Sequence, residues 1–288
     1  VAYPLSAYED MTRDLAAWPA IPMRTSREFV YGYMQLANEI VAATNTGGVY
    51  VFNGEDWRVI LEPDMNTSFQ VYAGINYRDR LLMGQYPTGE LFEYDGTNFR
   101  NIDGSPPVMP GVSPSAREAQ TLTIYGGDLY AGVWPWAEVW RLESRNNAWA
   151  FEGRMFTHPE PTDETVHPYE EETKALGVVL NLWGQRVTSL VPLGESLYIS
   201  TSSKGGNPWT PKVTFLAEDK WKEYGVVYRY QKSGALAVHT AWKDGPTTFD
   251  FVVEDGRMFV RQDGVELGAA EFTAEPVAAP TRILWGDG

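Results

Sequence analysis

Stretches of this 288-residue chain repeat one another, and the spacing inside the repeat restricts the fold more than any other feature. From Ile40 to Val49, from Leu82 to Leu91 and from Tyr130 to Val139 the separation is 9 positions; from Tyr198 to Val213 it is 15, the same unit with six residues inserted. The second member of each pair opens a short run: Val49-Tyr50-Val51-Phe52, Leu91-Phe92-Glu93-Tyr94, Val139-Trp140-Arg141-Leu142 and Val213-Thr214-Phe215-Leu216. β-branched and aromatic side chains suit a pleated, half-buried strand. Gly54 and Gly96, each the second residue of an Asn-Gly or Asp-Gly pair, stand three positions before Trp57 and Phe99. Such pairs accept the positive φ of a tight hairpin, so the ring begins a further strand. Trp149 and Trp221 hold that place in the other two units.

A strand upstream of each unit, at residues 29–33, 69–73, 120–124 and 187–191, completes a set of four. Four short antiparallel strands returning at intervals of about 40 to 70 residues predict a β-propeller blade. Gly84, Gly132 and Ser200, late in the second strands, are small enough to let blades converge near an axis. A degenerate fifth unit follows: Phe249 to Met258 is again 9 positions, and Leu267 replaces the aromatic. The expectation is an all-β chain, one β-propeller of about five four-stranded blades over residues 1–288, with clear repeats in 25–227. Residues 228–288 form the closing blade, completed by residues 3–18 or 281–285, which would remove exposed sheet edges. Helix is expected only over two turns at 8–17.

Composition agrees with that class and excludes others. The chain has 11 Trp, 16 Tyr, 27 Gly and 19 Pro, and its 43% hydrophobic content rules out disorder. With 38 acidic against 23 basic residues the formal charge is −15, which repels nucleic acid and disfavours anionic membranes and acidic polysaccharides. No apolar run approaches the roughly 20 residues of a membrane helix, so no membrane insertion is expected. The absence of cysteine excludes disulfides, thiolate nucleophiles and cysteine-bound metals. A first residue Val1 suggests a trimmed leader, and Asn66-Thr67-Ser68 fits a glycosylation acceptor. There is no phosphate-cradling glycine loop and no Gly-x-Ser-x-Gly elbow. No cofactor and no metal site are expected.

The units, most clearly Tyr94-Asp95-Gly96-Thr97-Asn98-Phe99, resemble the repeats of bacterial extracellular propellers and of five-bladed tachylectin-type lectins over about residues 25–227. The third and fourth units depart from that pattern by lacking the turn glycine. The resemblance implies a secreted or cell-surface protein whose partner is a glycan or polysaccharide. Residues Phe249 to Gly264 and the closing Thr281-Arg282-Ile283-Leu284-Trp285 also look like part of a concanavalin-like sandwich, which would make 228–288 a separate module.

Blade geometry converts the repeat into a map. Loops between second and third strands share one face with the connections between blades. Those loops carry Tyr86, Trp134, Trp136 and, in the insertion Lys204-Gly205-Gly206-Asn207-Pro208-Trp209, Trp209. Rings at loop tips can stack on sugar faces, and these four are the expected ligand-binding residues. The connection 154–185 is the longest and holds His167 and Tyr169 beside several carboxylates. Imidazole beside phenol can transfer protons near neutral pH, so these two are the candidate catalytic pair, on a loop expected to fold over the axial end. Three readings follow: a carbohydrate-recognition propeller, a polysaccharide-cleaving hydrolase or lyase using the same face, and a protein-interaction scaffold. Fold alone does not choose among them.

Overall fold

The computed structural model describes residues 28–64, 70–114, 116–163, 167, 170, 172, 175–177, 183–241 and 243–271. Three four-stranded antiparallel meanders come first. They are β1 (Val30–Leu36) to β4 (Trp57–Leu61), with β2 (Glu39–Thr44) and β3 (Val49–Phe52) between them; β5 (Gln70–Tyr77), β6 (Arg80–Tyr86), β7 (Leu91–Tyr94) and β8 (Phe99–Ile102); and β9 (Glu118–Tyr125), β10 (Asp128–Trp134), β11 (Glu138–Leu142) and β12 (Trp149–Arg154). The fourth sheet has three strands, β13 (Gln185–Leu193), β14 (Ser196–Ser203) and β15 (Val227–Tyr230). The fifth also has three, β16 (Phe249–Glu254), β17 (Arg257–Gln262) and β18 (Val265–Glu271). Within every sheet the strands pair in chain order, as blade meanders do.

Two-residue turns close the first hairpins. Ala37, Arg78, Asp79, Gly126 and Gly127 there have positive φ, the geometry whose twist matches the flanking strands. Second and third strands are the most buried in the first three sheets: every residue of β3, β7 and β10 is buried. The sheets pack side by side through their first strands, β1 on β5, β5 on β9 and β9 on β13. At these seams glycine is required. A Cβ on Gly84 would lie 2.0 Å from the Ala119 carbonyl oxygen, and one on Gly132 would lie 2.6 Å from the Val187 Cβ. The expected convergence at Gly84 and Gly132 is therefore what the packing shows. Separate apolar clusters fill the seams, with Val41, Val71 and Met83 in the first, Leu82, Ala119 and Leu129 in the second, and Tyr130, Val187 and Leu197 in the third.

Two expectations change. The row of first strands extends through four sheets; β16 does not pack on β13 to the extent that β13 packs on β9. The fifth sheet instead borders a cleft with Ile124, Tyr125, Pro192 and Leu236, beneath the hairpin turns of the third and fourth blades. The closing segments 3–18 and 281–285 and the possible helix at 8–17 lie outside the described residues, as does Asn66-Thr67-Ser68.

The second change concerns Val213-Thr214-Phe215-Leu216, which is not a strand. The third strand of the fourth blade is β15, and the chain between β14 and β15 is a long excursion with a 3-10 turn at Lys220–Glu223. Val213, Phe215 and Leu216 point into an apolar cluster with Trp134 and Trp183. Trp221, expected to open a strand, packs edge-on against Trp183. A plug pressed onto a protein surface can show the same apolar pattern as a strand, which is why spacing misplaces this segment.

Candidate functional site

The first strands of the first four sheets each carry one β-bulge, at the same place. The pairing register slips around Tyr31 in β1, Tyr72 in β5, Gln120 in β9 and Thr188 in β13. All four lie five positions before the end of their strand. A bulge leaves its residue unpaired and re-aims the side chain. Repetition at one register therefore presents four bulged residues along the inner side of four consecutive blades. Their sequence signal is a small or branched residue, the bulged residue, then a small one: Val30-Tyr31-Gly32, Val71-Tyr72-Ala73, Ala119-Gln120-Thr121 and Val187-Thr188-Ser189. Sequence reasoning passed over it.

Three of these residues, Tyr31, Tyr72 and Gln120, are linked to one another. The Tyr31 and Tyr72 rings stack at 4.9 Å. The Tyr72 hydroxyl donates to Gln70 Oε1. Burial first, then the Glu118 carboxylate, pushes the Tyr72 phenol far above its ordinary range, so it stays a donor. Gln120 Nε2 donates to Glu118 Oε1 at 2.8 Å, and Arg186 Nε donates to Gln120 Oε1 at 2.6 Å. Glu118 is fully buried, and its other oxygen takes the Lys204 ammonium at 2.9 Å. Lys204 also stands 5.0 Å from the centre of the Trp134 ring and 5.6 Å from that of Tyr72. The outcome is a continuous strip of phenols, amides and one buried carboxylate neutralised by one cation. Desolvated charges are retained only when paired and hydrogen-bonded in this way.

The expected ring residues are partly brought together. Tyr86, Trp134 and Trp209 join one cluster with Trp183 and Leu216. Tyr86 and Trp209 are half-buried, and the Tyr86 phenol is raised by burial, then by Glu118 and Glu170. Trp134 is only 2% exposed, with Lys204 above it and Gly184 against its edge. Trp136 is completely buried and belongs to another cluster, with Met109 and Val133. The expectation that Trp134 and Trp136 offer open faces to a ligand is thus corrected: loop-tip rings close to the seams seal the core.

His167 is corrected on the same ground. It is completely buried, 4.4 Å from the Trp136 ring and 5.7 Å from Phe215, and its side chain hydrogen-bonds Gln185. Burial first, then the nearby Arg154, holds its pKa well below the ordinary value, so the imidazole is kept neutral among these rings. Arg154 anchors the start of this connection, donating to the Trp136 carbonyl at 3.2 Å and to Gln185 Oε1 at 2.7 Å; burial lowers it to about 10. The Glu172 carboxylate accepts from Thr214 N at 2.6 Å, pinning the connection to the long excursion. Tyr169 lies outside the described residues.

No family model matches the chain, and no curated protein matches it. Among solved structures, the N-terminal domain of Nup159 is similar at 9% identity with a TM-score of 0.36 over 88% of this chain; the match spans 66% of that domain, just under two thirds. YCF48 bound to D1 peptide is similar at 12% identity and a TM-score of 0.36, covering 91% of this chain and 83% of that one. YCF48 from Cyanidioschyzon merolae is similar at 10% identity and 0.32, covering 82% and 79%. These are β-propeller proteins. The likeness is one of general architecture, and none of these matches favours tachylectin-type lectins.

Proposed function

We propose that this chain is a protein-interaction scaffold that docks partners on the aromatic side of its first blade. The observation carrying this reading is where large apolar side chains meet water. Phe29, Tyr31 and Tyr33 of the first blade are 70%, 45% and 65% exposed. Val191, Leu193, Val227 and Tyr228 of the fourth blade and Phe249, Phe251, Val253 and Val265 of the fifth sheet are exposed as well, whereas among the described residues the second sheet has no such side chain and the third only Phe151. Exposed apolar residues scattered singly mean little, but a contiguous aromatic row beside polar groups marks an interaction surface. Tyrosine supplies large contact area at low entropic cost, which suits a protein partner.

A photo-crosslinking residue placed at Tyr33, with a control at the exposed Glu254, tests this. Protein adducts specific to position 33, abolished when Tyr31 and Phe29 are changed to serine, support the reading. Adducts equal at both positions, or none, overturn it.

A second reading, glycan recognition, draws support from the Tyr31–Tyr72 stack flanked by Gln70, Glu118 and Arg186, a pairing of ring face and planar hydrogen-bonding groups. A glycan array run on the wild type and on Tyr72→Ala separates the two readings. Binding lost in Tyr72→Ala favours this second one, and a blank array leaves the scaffold alone.

A further inference from the structure

A cleft opens between the second and third blades, lined by β6, β7 and β8 on one side and by Leu142, Asn147 and Trp149 on the other. The cleft between them is about 480 Å³, within the range that holds small organic ligands. Its floor is apolar, with Leu82, Leu91, Ile102, Leu142 and Trp149. Its rim is cationic, with Arg78, Arg80 and Arg100 around the single carboxylate of Glu93. In a chain of net charge −15, three guanidiniums against one carboxylate form a local positive patch.

The arginines are held in place. Glu93 is 8% exposed and spends one oxygen on each of two partners: Arg80 Nη1 donates to Oε2 at 2.9 Å, and Arg100 Nε donates to Oε1 at 2.9 Å. Arg78 occupies a positive-φ turn position that carries it across the seam, where Nη2 donates to the Ser144 carbonyl and the ring of Tyr77 lies beneath it. Its enclosed Nε makes no hydrogen bond. A guanidinium has five N–H donors in a planar fork, and these contacts leave several on Arg80 and Arg100 unspent. Both side chains are half or more exposed, so an incoming anion meets them without unfolding the seam.

We propose that this cleft binds a small organic anion, a carboxylate or sulfonate on an aromatic body, with the acid group on Arg80 and Arg100 and the ring over Trp149 and Leu142. Charge-assisted bidentate contacts fix the acid end, and burial of the ring supplies the rest.

Titration calorimetry of the full chain with naphthalene-2-sulfonate, and with uncharged naphthalene-2-methanol as its match, tests the site. The sulfonate binds, and the alcohol binds at least tenfold more weakly. Arg80→Gln/Arg100→Gln/Glu93→Gln, which removes the buried carboxylate together with its two partners, weakens the sulfonate about tenfold or more while the unfolding midpoint stays close to that of the wild type. Asn147→Asp, an exposed change on the rim, weakens it as well. Equal affinity for the two probes, undiminished sulfonate binding in the triple variant, or no binding of sulfonate each overturns the proposal.

Discussion

The Arg117 guanidinium and the Glu138 carboxylate meet at 3.2 Å with only 1% and 0% of their side chains exposed. Arg117 also donates to the carbonyls of Thr88 and Pro107, and Glu138 accepts from Trp140 Nε1 at 2.7 Å. The pair thus ties the connection between the second and third blades to β11. Burial raises the Glu138 carboxyl while Arg117 draws it down, with burial the larger effect. Removing one partner of such a pair strands a charge, whereas replacing both by apolar groups of similar volume is far milder. Arg117→Met is expected to cost about 3–5 kcal/mol in urea denaturation, and Arg117→Met/Glu138→Leu to regain most of it. A single variant as stable as the wild type would show that the charge is not held there.

His167 makes stability depend on pH. Its folded pKa is depressed by burial, so the unfolded chain takes up a proton that the folded one refuses. The stabilisation is fully present above the unfolded histidine value of about 6.5 and declines as pH falls below it, by up to about 1.4 kcal/mol per pH unit. Urea midpoints measured at pH 7.5 and 5.5 should fall for the wild type. His167→Phe keeps the ring contacts with Trp136 and Phe215 and should flatten that acid limb. An identical slope in the variant would move the pH dependence to other groups.

Much of the framework was legible because strand pairing leaves a period in the sequence. The 9-residue spacing located the second and third strands of the first three blades, and Trp57, Phe99 and Trp149 each open the fourth strand where expected. The fourth blade failed because Val213 and Phe215 alternate as strand residues do while packing as a plug on Trp134. The site was harder still. Trp134, Trp136 and His167 attracted notice through residue type, but burial is decided by neighbours distant in sequence, such as Lys204 and Gln185. The bulged row from Tyr31 to Thr188 was present as a repeated triplet, yet an unpaired residue carries no periodic signal of its own.

The seam glycines allow the closest test of how the blades meet. Gly84 lies in β6 opposite Leu91, and an added Cβ would strike the Ala119 backbone carbonyl at 2.0 Å. Gly132 lies in β10 opposite Val139, where an added Cβ would strike Thr121 Oγ1 at 2.3 Å and Val187 Cβ at 2.6 Å. Neither position has positive φ, so the cost of alanine is steric and not conformational. Overpacking of this kind costs roughly 1–3 kcal/mol, and at Gly84 the obstacle is main chain, which yields least. Gly32 is the matched control: it too sits in a strand at a blade seam, but the nearest atom to its Cβ, the Tyr72 carbonyl oxygen, is at an ordinary 3.6 Å. Alanine there restricts the unfolded chain without a clash and should be neutral or slightly stabilising. The expected order of stability by thermal or urea unfolding is therefore Gly32→Ala above both Gly132→Ala and Gly84→Ala. Equal losses at all three would mean that the glycines serve the strands themselves and that the blades do not touch where β6 meets β9 and β10 meets β13.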